Sequence, residues 1–235
     1  VQTLRQAVRR LRQGGIVGLG GATFPTHIKL NVPAAQQIQT LILNGAECEP
    51  WICCDDALMR ERAADVVLGA QVLLAACGAA RATIAIEDDK PQALAALEAA
   101  LAACADDRLE IVALPAVFPL GAEGPLITTV TGLEVPHDGL PPQVGVVCQN
   151  VGTAAAVARL VAQGSPCVTR IVTVTGSGVR RPANLEARIG TPIAELVAAC
   201  GGYTDAPRPQ YLIAGGSLTG RALATDAIAL TKGLN

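Results

Sequence analysis

The sequence predicts an α/β fold with a parallel sheet, followed by a small α+β domain. Short apolar strands alternate with helical segments through most of the chain, which is typical of parallel sheets with helical crossovers. Glycine-rich turns and polar loops follow several of the strands. Of the 235 residues, 51% are hydrophobic and 16% are charged, so the chain can bury a large core. The pattern changes after Ser165-Pro166, which places a domain boundary near residue 165.

The first domain covers residues 1–165. Its helices are predicted from apolar residues at helical spacing, and its strands from short β-rich apolar runs. The predicted helices are 3–13, 55–77, 91–104 and 152–163, and the predicted strands are 39–43, 82–86, 109–114 and 144–148. Asp55-Asp56 is predicted to cap the second helix. Proline and glycine recur through 118–142, which is predicted to be a loop.

The second domain covers residues 166–235. Strands are predicted at 170–176, 183–189 and 211–214, with a helix at 191–200 between the last two. This β–β–α–β order indicates a small α+β module.

Composition excludes several classes of function. The formal net charge is -2 without any block of lysine or arginine, so nucleic acid is not expected as a partner. None of the eight cysteines forms a C-x-x-C pair, which favours free thiols in a reducing compartment. Neither His27 nor His137 lies at a metal-ligand spacing, so no metal ligands are expected in this chain. No apolar stretch predicts a transmembrane helix. Because the chain begins at Val1, we expect a piece of a longer or processed protein.

A glycine-rich turn spans Gly18 to His27 and reads GLGGATFPTH. Its glycines allow positive φ and a close approach of the backbone to a ligand. Successive backbone N–H groups in such a turn bind anions, typically phosphate, and Lys29 could add a positive charge. The alternative is a tight loop without a ligand, because glycine motifs often occur for structural reasons alone.

Two further loops carry polar side chains after predicted strands. Asn44–Trp51 contains Glu47 and Glu49, which should point the same way in an extended segment. Gly121–Asn150 offers Glu123 and Asn150. The glycine turn matches neither the dinucleotide fingerprint nor the P-loop. The three loops together suit a phosphorylated heterocyclic cofactor, for which the protein supplies placement and electrostatics.

Four segments carry a resemblance to a known family. They are GLGGATFPTHIKL, LILNGAECEPWICCDDALMRE, VGVVCQNVGT and RIGTPIAEL. Together they resemble RnfC, a subunit of the membrane-bound Rnf electron transport complex and a relative of the complex I flavoprotein subunit. The resemblance covers nearly the whole chain. It implies a Rossmann-like parallel sheet with flanking helices of that flavoprotein type, followed by a β-grasp SLBB domain.

The resemblance also implies the binding residues. The FMN phosphate would lie in the glycine turn, and the flavin and NADH would face the other loops. The FMN-binding residues implied are Gly18, Gly20, Gly21, Ala22, Lys29, Asn44, Glu47, Glu123 and Asn150, and the NADH-binding residues are Phe24, Glu49 and Gly121. No catalytic side chain is implied, because positioning the two rings suffices for hydride transfer.

The function implied is electron input to an ion-translocating NADH:ferredoxin-type oxidoreductase, from NADH through FMN to iron–sulfur clusters. The family carries two 4Fe–4S clusters in a C-terminal segment, and an N-terminal domain, neither of which is in this sequence. The isolated piece is therefore expected to be inactive. Other Rnf subunits, including membrane subunits, are the implied partners. The implied location is peripheral, on the cytoplasmic side of the bacterial inner membrane.

Two departures from the family pattern leave alternatives open. Thr23 stands where the family turn has a glycine, and Thr resists positive φ because it is β-branched. In the third loop, Ala122 replaces a family glycine and Gly124 replaces a family lysine, so a positive charge is lost. A cofactor-free structural or docking subunit is one alternative. A flavoprotein resembling cobalamin reductase is the other.

Overall fold

The computed structural model of the protein describes residues 2–33, 36–205 and 211–235. Its central feature is a four-stranded parallel sheet in the order β3-β2-β1-β4. The strands are β1 (Thr40–Gly45), β2 (Arg81–Glu87), β3 (Leu109–Leu114) and β4 (Val146–Asn150). All three neighbouring pairs run parallel. The Rossmann-like sheet with flanking helices is therefore confirmed.

Helices cover both faces of this sheet. One face packs against α1 (Gln2–Gln13), α4 (Ala63–Cys77), α5 (Pro91–Cys104) and α7 (Val151–Gln163). The opposite face packs against α6 (Glu123–Thr131). The run Leu41-Ile42-Leu43 is fully buried, because alternate side chains enter cores on opposite faces.

A very close helix contact joins α4 to α7. A Cβ added to Gly69 would lie 2.0 Å from the carbonyl oxygen of Ala154. The two backbones can approach this closely only because Gly69 has no side chain.

The segment from Cys54 to Cys77 forms two helices where the sequence predicted one. The first is α3 (Cys54–Glu61), and α4 follows at Ala63. Arg62 separates them with φ -139° and ψ 37°, outside the helical region. The predicted capping by Asp55-Asp56 is wrong, because both residues lie inside the first turn of α3.

The prediction of a loop over 118–142 is also wrong in part, because α6 lies within it. Proline is tolerated at Pro125 since first-turn N–H groups have no intrahelical acceptor. Gly132 ends α6 with φ +73°. Proline and glycine therefore mark the ends of a helix here. The short helix α2 (Thr26–Lys29), next to the glycine turn, was also not predicted.

The C-terminal part contains two small antiparallel sheets. Strands β5 (Thr169–Val174) and β6 (Ala183–Arg188) form a hairpin, and α8 (Ile193–Ala199) follows. Strand β7 (Leu212–Ala214) pairs with β8 (Arg221–Leu223), which the sequence analysis missed. The β–β–α–β order is as predicted. A boundary near residue 165 would fall between α7 and β5, and it remains a proposal.

Among the described residues, no helix combines the length and the apolar character needed to cross a bilayer.

We predict that Gly69→Ala lowers the free energy of unfolding by about 1–3 kcal/mol, because the methyl group would force α4 away from α7. Urea denaturation measures the change. Gly124→Ala is the matched control, since its methyl group would meet nothing within 4 Å. Alanine also favours the helix, so the control should be neutral or more stable by up to about 1 kcal/mol. Equal stabilities of the two variants would contradict the prediction.

Candidate functional site

A cavity of about 340 Å³ lies at the carboxyl ends of the strands. It opens where β1 and β4 end side by side, at Asn44 and Asn150. The chain leaves β1 toward β2 on one side, whereas β4 lies on the other, so this is the topological switch point of the sheet. Ligands of open α/β sheets bind at such points.

The cavity brings together all the predicted binding residues except Gly21. Those that line it are Gly18, Gly20, Ala22, Phe24, Lys29, Asn44, Glu47, Glu49, Gly121, Glu123 and Asn150. Gly21 belongs to the same turn but does not line the cavity. Their roles toward a ligand remain predictions.

The glycine turn is closed at its base and open at its tip. The Gly18 N–H donates to the Phe24 carbonyl oxygen at 2.8 Å, and the Leu19 N–H donates to Thr153 Oγ1 at 2.9 Å. Within the described ranges, the N–H groups of Gly20, Gly21 and Ala22 donate to no protein acceptor. They are therefore available to an anion.

Thr23 does not prevent this conformation. Thr resists positive φ, yet Thr23 adopts φ +52°, and Gly21 has φ +105°. Side chains seldom adopt this region, so the surrounding contacts hold Thr23 there at some cost in strain. The turn keeps its open tip in spite of the substitution.

An ion pair joins two walls of the cavity. Lys29, the last residue of α2, lies 2.6 Å from the carboxylate of Glu123, the first residue of α6. Both side chains are partly exposed. The lysine ammonium has three donors, so this bond leaves it able to bind a second anion.

Asn44 fixes the loops around it. Its Nδ2 donates to the Gly121 carbonyl oxygen at 2.8 Å, and its Oδ1 accepts from the Ala46 N–H at 3.0 Å. A Cβ on Gly121 would lie 2.5 Å from the Ala46 carbonyl oxygen. Asn44 and Gly121 therefore form a close-packed wall.

Glu47 caps helix α3 from outside the helix. Its carboxylate accepts from the Asp55 N–H at 3.0 Å and from the Asp56 N–H at 3.1 Å. Cys53, which precedes α3, supplies no side-chain cap. The Glu47 carboxylate satisfies the first-turn donors that a cap residue normally serves.

Glu49 accepts hydrogen bonds from the C-terminal part of the chain. Its carboxylate accepts from the Leu218 N–H at 3.0 Å, and from both the N–H, at 2.8 Å, and the hydroxyl of Thr219. The expectation that Glu47 and Glu49 point the same way is therefore wrong. The chain turns sharply after them at Trp51, which has φ +72°.

Asn150 links the sheet to two helices. Its Oδ1 accepts from the Gly152 N–H at 2.8 Å and so caps α7. Its Nδ2 donates to the Asp55 carboxylate at 2.6 Å. Burial raises the pKa of Asp55, whereas the Asn150 bond and the nearby Arg170 charge oppose the rise. Burial, and then the Asp55 charge, raise the pKa of Glu47 to about 7.

Sequence reasoning missed several residues of this site, among them Asp55, which it assigned only to a helix cap, Gln149 and Arg170. Gln149 lines the cavity and is 3% exposed, and its Nε2 has no hydrogen-bond partner among the described residues. A glutamine at the end of an otherwise apolar strand was the available signal. Arg170 is 4% exposed and donates to the Leu19 carbonyl oxygen behind the turn. Its place in a β-rich run gave no signal of this contact.

The fold and the site define a class of protein, a nucleotide-binding α/β domain with its ligand loops at the sheet's switch point. The comparison with family models agrees. Residues 11–159 match the Nuo51 FMN-binding domain, and residues 171–222 match the SLBB domain. The chain belongs to the Nuo51 FMN-binding domain family and carries an SLBB domain after it.

Curated relatives are similar over nearly the whole chain. The RnfC-type component of the ion-translocating oxidoreductase complex of Pseudomonas aeruginosa is 47% identical, covering 97% of this chain and 29% of the relative. The corresponding component of the proton-translocating ferredoxin:NAD(+) oxidoreductase complex of Clostridium ljungdahlii is 39% identical, covering 98% and 50%. These similarities confirm the resemblance to RnfC. The chain spans half the length of these relatives or less.

A solved structure shows the same fold. The NAD+-reducing NiFe-hydrogenase in its H2-reduced state matches with a TM-score of 0.75 and 24% sequence identity. The match covers 98% of this chain and 46% of that one.

We predict that Asn150→Ala lowers the free energy of unfolding at pH 7 by about 2–4 kcal/mol. The variant loses the cap of α7 and a hydrogen bond to a buried carboxylate. Urea denaturation tests this. Asn150→Ser should recover about 1 kcal/mol, because a serine hydroxyl can still cap the helix. Wild-type stability of both variants would show that the amide does not hold these elements together.

Proposed function

We propose that this chain binds FMN in the switch-point cavity. The observation that carries the proposal is the open tip of the glycine turn beside Lys29, where the N–H groups of Gly20, Gly21 and Ala22 lack acceptors in the described part of the chain. This is the donor set that a phosphate requires. The unpartnered Gln149 amide is a further donor for a polar heterocycle.

The residues have separate tasks in this proposal. The turn and Lys29 hold the phosphate, and Gln149 and the Asn44 and Asn150 loops face the ring. Phe24, which is 49% exposed, offers a face on which a nicotinamide nucleotide stacks, and Glu49 and Gly121 lie beside it in the cavity. When bound, FMN supplies the exchange between two-electron and one-electron transfer. The chain's own contribution is to place both rings and fix their charges.

The longer protein of which this chain forms part is, in this proposal, the electron-input subunit of an Rnf-type complex. FMN held by these residues would accept electrons from NADH, and two 4Fe–4S clusters outside this chain would carry them to other subunits. The complex would hold the subunit peripherally at the cytoplasmic side of the inner membrane. The relatives' names, which describe ferredoxin:NAD(+) oxidoreductase complexes that translocate protons or Na(+), support this proposal.

We predict that Lys29→Ala weakens FMN binding about tenfold or more, because a charge-assisted hydrogen bond to the phosphate is lost. Quenching of flavin fluorescence measures the affinity. Riboflavin, which lacks the phosphate, should bind the variant and the wild type about equally.

Arg108→Ala is the matched control for loss of one positive charge, since Arg108 pairs with Asp106 away from the cavity. It should leave FMN affinity unchanged. Absence of quenching by the wild type at high protein concentration would overturn FMN binding and favour a cofactor-free docking subunit.

For the longer protein, we predict NADH-dependent reduction of an artificial dye. Phe24→Ala should raise the KM for NADH about tenfold, since a stacking face is lost, with a smaller effect on FMN content. Steady-state kinetics and flavin quantification test this. Reduction of cobalamin at a rate comparable with that of the dye would point instead to a cobalamin reductase.

A further inference from the structure

Two half-buried carboxylates and a buried thiol lie together at the cavity. The Glu47 carboxylate, the Cys54 thiol and the Asp55 carboxylate each place an atom within 4.8 Å of the other two. Two half-buried carboxylates this close repel each other if both are ionised. Both carboxylates line the cavity.

The positive charge that acts on this group belongs to Arg170. Arg170 is buried, and its guanidinium donates to neutral oxygens. The acceptors are the carbonyl oxygen of Leu19 at 3.2 Å, the side-chain Oδ1 of Asn235 at 2.9 Å, and the carbonyl oxygens of Ile171 and Lys232. Its charge acts on Asp55 and Cys54 through space. The arginine charge therefore partly offsets the effect of burial on Asp55.

Other groups around Glu47 add negative charge or are already paired. The buried Glu87 carboxylate lies near the Glu47 backbone and is 3.4 Å from Lys90. Asp56, on α3, pairs with Arg60.

Across the cavity, Lys29 is paired with Glu123. The described lining thus contains the carboxylates of Glu47, Glu49, Asp55 and Glu123 and one lysine. An anionic ligand entering this cavity meets a surplus of negative charge.

We propose that Glu47 and Asp55 share one proton, and that this proton sets the affinity of the cavity for an anionic flavin nucleotide. Burial raises the pKa of Asp55 as well, but Asn150 donates to its carboxylate at 2.6 Å and the Arg170 charge favours its ionised form, so Asp55 takes the charge of the pair. Glu47 holds the proton and stays a neutral cap of α3. The ligand half of this inference rests on the proposed function. The buried, unpartnered Gln149 amide in the same cavity is the independent sign of a polar ligand there.

The shared proton has a measurable consequence without ligand. A carboxyl whose pKa rises on folding binds its proton more tightly in the folded state. The stability that such a carboxyl contributes is therefore fully present below its pKa in the unfolded chain. This contribution is lost as the pH rises through its pKa in the folded protein. For Glu47 this window runs from about 4.5 to about 7. Glu47→Gln should flatten the fall in unfolding midpoint across this window, and Glu98→Gln, an exposed change on α5, should not.

The ligand test uses FMN and riboflavin between about pH 6.5 and 8.5, where the FMN phosphate is mostly doubly charged. FMN affinity of the wild type should fall about three- to thirtyfold as the pair loses its proton, depending on distance and local screening. Riboflavin affinity should change less. Glu47→Gln should bind FMN with nearly constant affinity over this range, whereas Glu98→Gln should follow the wild type.

The possible results distinguish failure of the shared-proton inference from failure of FMN binding. A pH-independent FMN affinity in the wild type, or an equal pH dependence in Glu47→Gln, overturns this inference and leaves FMN binding intact. Absence of FMN binding at every pH overturns the proposed function and, with it, the effect of the proton on FMN affinity. The pH dependence of the unfolding midpoint then tests whether Glu47 and Asp55 share a proton. If Glu47→Gln does not fold, Asp55→Asn replaces it, since removing either carboxyl ends the repulsion.

Discussion

The side-chain amide of Asn150 is the contact on which the geometry of the cavity depends. It caps α7, holds the buried Asp55 carboxylate of α3, and lies beside the end of β1, where its Nδ2 is 3.4 Å from the Asn44 carbonyl oxygen. Parallel strands end at one edge of the sheet, so a single short amide can reach all three elements. The starts of two helices thereby converge on one cavity. Glu47 accepts from the first-turn N–H groups of α3, and Asn150 accepts from that of α7, so side chains of the cavity satisfy donors at both helix starts.

The C-terminal part of the chain completes the site without providing much of its lining. The 218–219 backbone holds Glu49, and Arg170 reaches the back of the glycine turn. A further pair of bonds joins the start of α3 to the hairpin: the Cys53 N–H donates to Thr173 Oγ1 at 3.1 Å, and Asn184 Nδ2 donates to the Cys53 carbonyl oxygen at 3.1 Å. The C-terminal part therefore holds the segment Glu49–Cys53 at both of its ends.

Much of the fold could be predicted because its signals are local. Each core strand is a short apolar run, and a run such as Leu41-Ile42-Leu43 is buried in any parallel sheet covered on both faces. The errors arose where local signals have two meanings. Gly124-Pro125 is typical of a turn, yet here it begins a helix, since the first turn needs no N–H donors. Nothing local distinguishes Arg62 from a helix interior, and its side chain pairs with Glu186, which is distant in sequence.

The sheet, its helical cover and the gathering of the loops at one edge follow from the amino-acid sequence alone, because apolar periodicity and strand direction suffice for these. The resemblance of its motifs to RnfC also predicted many of the residues that line the cavity. The hydrogen-bond partners of the polar groups, in contrast, depend on the tertiary structure. Glu47 and Glu49 are two residues apart, yet one caps α3 and the other binds the 218–219 backbone, and Thr23 keeps a positive φ against its own preference. Hydrogen-bond partners, burial and charge balance depend on groups that are distant along the chain, and the pKa of Glu47 is set by the fold around it.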